Sequence, residues 1–416
     1  DKMMNVDFSY SPILQHNELS NIWRSSGLGK RIVSVPVKDS IRNWFIVDGD
    51  TDGDIVRWMD RNLHIRKKYY EQMCWARLYG GAIGIMLLND GGELDEELRE
   101  DNIKTFESIT IYERQRVTWT TLDLYDDPQS PKYGTPYQYY ITPINGQPFY
   151  VHETRVLRLD GEMLNHESRL NNQGWNDSVL QSAYDALRFL GTAMNGIAHI
   201  IDEFIMSVLK VDNLMNLIEG GQESVILKRL QLMDMTKRTS NTTLLDVEED
   251  YTKVASNVSG LDPAVDKLIQ NLSGATGIPG SLLMGQTPKG LNASGALEAD
   301  IEYYYNEVSL HQTLDMMPYY ERLIYIVMKT KEGPTNGQLI EDYSITFNPL
   351  WQPTEQQTIE NRNKQAETDA IYIDRGVFSA EGIVESRVGG NKYSYETNES
   401  AILREDQITD KELDDA

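Results

Sequence analysis

The strongest constraint on the fold is a run of apolar residues that recur at helical spacing from Val179 to Val208. Apolar side chains at every third or fourth position lie on one side of an α-helix and need a partner surface. We predict that Asn176 or Asp177 caps this helix. The apolar positions are Val179, Leu180, Ala183, Tyr184, Leu187, Leu190, Met194, Ile197, Ile201, Phe204, Ile205 and Val208. A chain of 416 residues is long enough to bury them in a sizeable core.

Other patterns predict a mixture of helices and strands. Residues from Ile55 to Tyr79 carry apolar side chains at helical spacing and end at a pair of glycines, so we predict one long helix there. Ala82 to Leu88 is apolar throughout, which indicates a buried strand. Short β-prone runs separated by Pro and Gly follow, up to about residue 160. The sequence therefore predicts an α+β fold.

Two later helical segments are unusual. Residues 296–330 have helical periodicity, but Pro318 must kink or split that helix, because its ring clashes with the carbonyl of Leu314. Residues 354–375 form a predicted helix with few apolar side chains, which ends near Gly376. Such a polar helix gains little from its own burial. We therefore expect it to be ordered by packing against other elements or other subunits.

The charge balance is strongly acidic, with 64 Asp and Glu against 39 Lys and Arg, for a net charge of −25. This net charge excludes a protein whose surface as a whole is basic and binds nucleic acid. An acidic wall repels phosphate, so this charge is compatible with DNA that slides past. The alternative is that acidity only maintains solubility.

Three motifs resemble chemical sites, and each departs from its pattern. The spacing Gly280-x-x-x-x-Gly285-Gln286-Thr287 approaches a phosphate-binding loop, but Gln286 replaces the required lysine and helix is predicted before it. Residues 48–53 match the start of an EF-hand loop, yet Met59 stands where its glutamate should be, so we favour an acidic turn at a helix N-terminus. The acids at 248–250 only faintly resemble a metal-dependent nuclease.

The remaining chemistry-bearing residues add no further site. The six histidines include no pair at a spacing of three or four residues, which gives no support for zinc ligation on a helix. Cys74 is the single cysteine, so no intrachain disulfide forms, which fits a reducing cytoplasm. We predict no catalytic, cofactor-binding or metal-binding residues, no membrane span and no enzymatic activity.

A family resemblance enters at the glycine-rich stretch. Residues 273–279 (Ser-Gly-Ala-Thr-Gly-Ile-Pro) and 283–295 (Leu-Met-Gly-Gln-Thr-Pro-Lys-Gly-Leu-Asn-Ala-Ser-Gly), followed by a Tyr-rich helix, resemble the corresponding segment of tailed-bacteriophage portal proteins. Residues 343–351, the helix after them and residues 376–381 are similar to later segments of that family. Residues 77–85 resemble its early helix-to-strand junction. These motifs are structural, and together they span most of the chain.

The resemblance implies a portal fold with a mixed α/β wing, a helical stem, a small α/β clip and a short or absent crown. By position, the parts would be the wing at 1–295, with its β-rich part at about 106–160; a kinked helix leading into the stem at 296–330; the clip at 331–353; a second stem helix at 354–375; a channel-loop region at 376–395; and an acidic tail or short crown at 396–416. The polar helix 354–375 would then pack against neighbouring subunits.

The implied function is a ring, usually of twelve subunits, at one capsid vertex, assembled in the host cytoplasm and retained in the virion. Its implied partners are copies of itself, the major capsid protein, the terminase large subunit, a head-tail adaptor and the double-stranded DNA that passes through. Candidate DNA-channel residues are Arg375, Arg387 and Lys392, for which salt bridges are the alternative. Candidate docking residues of the clip are Lys331, Glu332, Asn348 and Trp351. Two other hypotheses remain beside the portal ring: a metal- or nucleotide-dependent phage enzyme acting on nucleic acid, and another head or tail structural protein.

Overall fold

A computed structural model describes residues 13–50, 53–203, 207–210, 227–228, 231, 250–253, 261–285, 293–351, 355–388 and 397. The chain divides into two compact units, residues 1–348 and residues 349–416. Residues 352–354, directly before the second unit's first helix, lie outside the described residues, as do Lys392 and nearly all of the acidic tail.

The first unit contains helices and short antiparallel strands. Its helices are α1 (His16–Ser25), α2 (Gly27–Arg42), α3 (Asp54–Trp58), α4 (Ile65–Tyr79), α5 (His166–Asn171), α6 (Val179–Glu203), α7 (Leu261–Thr276), α8 (Gly280–Met284), α9 (Ala293–His311) and α10 (Met317–Lys329). Its strands are β1 (Phe45–Asp48), β2 (Gly81–Asn89), β3 (Thr105–Glu113), β4 (Val117–Thr118), β5 (Gln138–Ile141), β6 (Phe149–His152), β7 (Val156–Asp160), β8 (Ser207–Lys210), β9 (Asp250–Lys253) and β10 (Ser344–Phe347). The predicted α+β class is confirmed.

The described strands form four small antiparallel sheets, in the orders β1-β10, β3-β2-β7, β4-β5-β6 and β8-β9. In the central sheet Ile83 lies opposite Tyr112 and Arg158, so β2 is covered on both edges. Gly81 to Met86 of β2 are all buried, so both faces of the strand are covered, which explains why its sequence is apolar throughout and does not alternate. The core between this sheet and β4-β5-β6 contains Ile83, Ile85, Val117, Tyr139, Ile141, Val151 and Trp175.

The predicted single helix from Ile55 to Tyr79 is wrong in one respect. A π-helical turn, Met59–Leu63, follows α3, and His64 adopts a left-handed conformation with φ of 50° before α4 begins. A non-glycine residue rarely adopts this backbone conformation, and no Gly or Pro in the sequence marks the break. The segment is therefore two helices joined at His64.

Helix α6 agrees with the predicted amphipathic helix, although it ends at Glu203 and the described residues 207–210 are a strand. Its first turn is capped by Ser178, whose Oγ accepts a hydrogen bond from the Leu180 amide at 3.2 Å, so the predicted cap was one or two residues early. Leu180, Ala183 and Leu190 are buried. The predicted apolar face therefore anchors the first half of the helix.

The predicted disruption by Pro318 is confirmed. Helix α9 passes into a π-helical turn, Gln312–Met316, and α10 starts directly after it with Pro318 in its first turn. Proline fits a first turn because no intrahelical acceptor is needed for its missing N–H. The wider turn keeps the path helical, as π-bulges do. Helix α10 then buries Tyr320, Leu323 and Val327.

The second unit contains α11 (Glu355–Asp374) and α12 (Ala380–Val388). Gly376 has a φ of 68°, and the amides of Gly376 and Val377 donate to the carbonyls of Ile373 and Tyr372. This is the hydrogen-bond pattern of a Schellman C-cap, as the sequence predicts. Ser379 then caps α12 by accepting from the Gly382 amide at 3.1 Å. Within the described residues of the chain, no helix is long and apolar enough to cross a membrane.

Candidate functional site

The stretch with phosphate-loop spacing has a different local structure. It follows helix α7, whereas a phosphate-binding loop follows a strand. Residues Gly280–Met284 form one turn of helix, α8, and Gly285 ends it with a φ of 66°. The two spaced glycines therefore bracket a helical turn, and no nest of amides for phosphate forms at 280–285.

Two carboxylates near the end of β1 have structural roles: one caps helix α3, and the other accepts hydrogen bonds from side chains of β10. The Asp50 carboxylate accepts hydrogen bonds from the amides of Asp54 and Ile55, at 3.2 and 2.9 Å, at the start of α3. The Asp48 carboxylate accepts from the hydroxyls of Ser344 and Thr346 on β10, which lower its pKa. Among the described residues, no group of three or more His, Cys, Asp or Glu side chains could hold a metal ion.

Arg387, a candidate channel residue, is held inside the second unit. Its Nε and Nη2 donate to the two carboxylate oxygens of Asp369 on α11, each at 2.9 Å, and Nη2 also donates to the Thr397 hydroxyl. Both side chains of the ion pair are buried. The hydrogen bond from Arg387 holds the pKa of Asp369 below its usual range, although burial acts in the opposite direction. Arg387 therefore clamps α12 to α11.

The other two channel candidates differ from Arg387. Arg375 is exposed at the end of α11, directly before the Gly376 turn. Lys392 lies outside the described residues. The described part of the predicted channel-loop region, residues 376–388, is a tight turn followed by α12. Of the two candidates that the structure describes, Arg387 is therefore buried in an ion pair and Arg375 is exposed.

We expect Arg387→Ala to lower the free energy of unfolding of the second unit by about 2 kcal/mol, because Asp369 loses charge-assisted hydrogen bonds while buried. Arg375→Ala is the matched control on the same unit, and we expect it to change stability by less than about 0.5 kcal/mol. Hydrogen exchange of the α11 and α12 amides measures both. Equal protection in the two variants would show that the Asp369 pair does not hold the helices together.

The candidate clip residues are tied to the chain mainly through their backbone. The amides of Lys331 and Glu332 donate to the carbonyls of Ile103 and Lys104, and both side chains are exposed. Asn348 is less accessible, since its side-chain amide donates to the Asn43 carbonyl at 2.9 Å at the end of the β1-β10 ladder. Trp351, in the second unit, is partly exposed. Docking of another protein by these residues stays a prediction. Lys331 and Glu332 are the best candidates, because their side chains are exposed.

One buried ion pair was not predicted from the sequence. Arg155 and Asp90 are 1% and 4% exposed and form two hydrogen bonds, at 3.1 and 2.7 Å. Arg155 also donates to the Glu96 carbonyl, and Asp90 accepts from the Arg99 amide. The pair joins the turn after β2 to the start of β7. Its partners are 65 residues apart in sequence, so no local spacing could reveal them.

Comparisons with known proteins identify the class to which this fold belongs. A chain in the neck of a native gene transfer agent (GTA) particle, computed with C12 symmetry, has a similar fold, with a TM-score of 0.51 at 13% sequence identity. The match covers 86% of this chain and 91% of that chain. The two chains therefore share a fold. The model of the phage portal protein family matches residues 17–371, and the chain belongs to that family.

Sequence relatives of this chain include proteins with a different name. The anti-CBASS protein Acb1 of Caulobacter sp. (strain RHG1) is 24% identical over an alignment of 376 residues, and the match covers 86% of this chain and 58% of that protein. A protein of the same name from Sphingomonas paeninsulae is matched over 60% of its length. An uncharacterized protein of Haemophilus influenzae is 25% identical over an alignment of 364 residues, and the match covers 86% of this chain and 80% of that protein. The chain thus spans less than two thirds of the Acb1 relatives.

Proposed function

We propose that the chain is the subunit of a portal ring, located at one vertex of a virion capsid, through which double-stranded DNA is packaged and ejected. The observation that carries this proposal is the portal family match over residues 17–371, supported by the fold shared with a chain of a neck computed with C12 symmetry. By analogy with that symmetry, we propose twelve copies. The role is structural and non-enzymatic.

The acidity of the chain supports a conduit. Twelve copies with a net charge of −25 each would give the ring a charge of about −300, which repels phosphate over a Debye length of about 8 Å at physiological salt. DNA would then pass without adhering to the wall. We propose that a terminase large subunit, a head-tail adaptor and the major capsid protein bind outside this conduit.

The sequence predicts one stem, formed by the kinked helix α9 to α10 together with α11. We add a second candidate, the pair of helices α6 and α7, which pack against each other. Phe189 and Met194 on α6 are about half exposed, so this pair has apolar surface available for a neighbouring subunit. Electron microscopy of the ring distinguishes the two.

We expect the purified chain to form a ring with a central opening in electron micrographs, with a mass of about twelve subunits by native mass spectrometry. The same preparation is expected to show no ATP hydrolysis and no Mg²⁺-dependent cleavage of DNA. A chain that stays a compact monomer and has either activity would instead support the hypothesis of a phage enzyme. A fibre, or a ring without a stem, would indicate a different head or tail protein.

Arg375, which is exposed, and Lys392, which lies outside the described residues, are tested as channel residues in an infectious genome. If Arg375 and Lys392 touch the DNA backbone transiently, replacing both with Ala is expected to change DNA retention after packaging, while capsid assembly is unchanged. Lys67→Ala, at an exposed lysine of α4 in the first unit, is the control for loss of a positive charge elsewhere. Unchanged packaging and retention would remove both residues as channel contacts.

Anti-CBASS activity is a second candidate, favoured by the name of two relatives that are matched over most of this chain. It is tested by expressing this chain and the Caulobacter relative separately in cells that carry CBASS. Protection by both would support that activity for the region they share. Protection by the relative alone would assign it to the part of the relative outside the match.

A further inference from the structure

Helix α2 has a basic outer side in an acidic chain. Apart from Gly27, the exposed residues of α2 are all basic: Lys30, Arg31, Lys38 and Arg42. The helix contains one acidic residue, Asp39, whereas the chain as a whole has 64 Asp and Glu against 39 Lys and Arg. We name the four basic residues the α2 ridge.

The ridge is continuous although Pro36 lies inside α2. A proline within a helix removes the N–H that would donate to the carbonyl four residues earlier, which here is that of Ile32. Arg77 of α4 supplies a donor instead: its Nη2 donates to the Ile32 carbonyl at 3.2 Å, and its Nε donates to the Val33 carbonyl at 3.1 Å. The helix therefore continues through the proline, and the basic residues before and after it lie along one helix.

The stability of α2 does not explain the charges at its start. The N-terminal end of a helix carries a partial positive charge, which favours acidic residues and disfavours basic ones. The first turn of α2 has no acidic residue, and Lys30 and Arg31 are the fourth and fifth residues of the helix. These two charges therefore act against the helix dipole, and their cause lies outside the helix.

Neighbouring groups hold the first two ridge side chains without neutralising them. Nζ of Lys30 lies 5.2 Å from the centroid of the Trp23 ring, and Nη2 of Arg31 donates to the Leu282 carbonyl at 2.5 Å. Within the part of the chain that the structure describes, Lys30, Arg31 and Lys38 form no ion pair with a carboxylate. Their three positive charges are therefore available to an external anion.

Arg42 completes the ridge at the end of α2. Its Nη1 donates to the Tyr305 hydroxyl at 3.1 Å, and its guanidinium lies 5.1 Å from the centroid of that ring. The nearest oxygen of Asp39 is 3.8 Å away, too far for a hydrogen bond, and the other oxygen accepts from the Tyr304 hydroxyl. Because the Arg42 side chain is also 44% exposed, Asp39 compensates only part of its charge.

The ridge suits a phosphate backbone better than a protein surface. A protein interface has an apolar core inside a polar rim, and none of the exposed side chains of α2 is apolar. Contacts from Lys and Arg to phosphates need no apolar core and do not depend on base sequence. From Lys30 to Arg42 the helix rises about 18 Å, and B-DNA has one phosphate of each strand per about 3.4 Å of its axis. The ridge is therefore about as long as five phosphates of one strand.

We propose that the α2 ridge binds the phosphate backbone of double-stranded DNA, weakly and without sequence preference. The identity of this ligand rests on the conduit proposed above, and the ridge adds the surface that touches the DNA. A local basic contact is compatible with the acidity of the chain, because the net negative charge keeps the binding weak.

The test compares two pairs of lysines in the full chain. The double variant Lys30→Gln with Lys38→Gln removes two ridge charges, and Lys104→Gln with Lys132→Gln removes two charges from other exposed lysines of the first unit. Fluorescence anisotropy of a short labelled duplex of mixed sequence measures binding over a range of salt concentrations. At the lowest salt, we expect the ridge pair to raise Kd at least about tenfold and the control pair to raise it less than about twofold.

The salt dependence counts the phosphate contacts. Each contact contributes about 0.9 to the slope of log K against log salt concentration, so the ridge pair is expected to reduce this slope by about 1.8. The double variant Lys30→Arg with Lys38→Arg keeps both charges and is expected to bind as the wild type does. Far-UV circular dichroism checks that all variants keep their helices.

The outcomes separate the ridge from the conduit. A wild-type chain that forms a ring but does not bind the duplex at low salt overturns the ridge and leaves the conduit. Ridge-dependent binding by a chain that forms no ring supports the ridge and overturns the ring. Equal losses in the two Gln pairs would mean that affinity follows net charge, which overturns the ridge. So does a ridge variant that binds DNA normally but no longer assembles, which would assign the ridge to an acidic surface of a neighbouring copy.

Discussion

Replacing Arg155 with leucine is expected to lower the free energy of unfolding of the first unit by about 3 to 5 kcal/mol. The substitution leaves the Asp90 carboxylate, which is 4% exposed, without the two hydrogen bonds that compensate its burial. The Glu96 carbonyl loses its donor as well. Urea unfolding followed by tryptophan fluorescence measures the change.

Arg99→Leu is the matched control for Arg155. The Arg99 side chain pairs with Glu96 at 2.8 Å, and both side chains are about half exposed, so its removal is expected to change stability by less than about 1 kcal/mol. Similar losses for Arg99→Leu and Arg155→Leu would contradict the view that burial makes the Asp90 pair important.

The Asp90 pair also predicts a dependence on pH. Burial alone would raise the pKa of Asp90, but hydrogen bonds from Arg155 and from the amides of Arg99 and Gly92 outweigh it and lower that pKa. A lowered folded-state pKa stabilises the protein above the unfolded-state value, about 4, and this stabilisation is lost as the pH falls through the folded-state pKa. The stability difference between wild type and Arg155→Leu is therefore expected to narrow below about pH 4.

Replacing Gly80 with alanine is expected to lower the free energy of unfolding by about 4 kcal/mol, the sum of backbone strain and a steric clash. Gly80 ends α4 with a φ of 90°, and its amide donates to the Ala76 carbonyl at 2.8 Å. A Cβ at this position would overlap the backbone carbonyl of Asn176, which cannot rotate away as a side chain can. The same unfolding experiment measures the loss.

Gly91→Ala separates strain from clash. Gly91 has a φ of 77°, but a Cβ there would meet no atom within 4 Å. We expect this variant to lose only about 1 kcal/mol, the cost of the left-handed conformation for alanine. If Gly80→Ala lost no more than Gly91→Ala, the close approach of residues 176–177 to the end of α4 would not be what requires glycine at position 80.

Local patterns in the sequence predicted those elements whose cause is local. Pro318 marks a break in a long helix because its ring acts within one turn, and Gly376 marks a C-cap because glycine tolerates a positive φ. The apolar run of β2 and the face of α6 follow from periodicity alone. The break at His64 was missed, since a histidine in the left-handed conformation has no glycine or proline beside it to mark the break.

The candidate site was less predictable, because charge and exposure depend on residues far apart in sequence. Arg387 was a candidate for DNA contact by its position near the presumed loop, and the fold instead places it against Asp369, buried. The turn at 48–53 was correctly interpreted as a helix cap, since Asp50 and α3 are adjacent in sequence. The partners of Asp48, Ser344 and Thr346, lie about 300 residues away and could not be predicted.

By itself the sequence determined the α+β class, the positions of several helices, the acidity of the chain and its resemblance to portal proteins, since these depend on composition, on periodicity and on the order of segments. Only the tertiary structure decided which charges are buried in pairs and which glycines have no room for a Cβ. Those properties depend on what each residue meets across the fold, and contacts between distant segments leave no periodic trace in a single sequence.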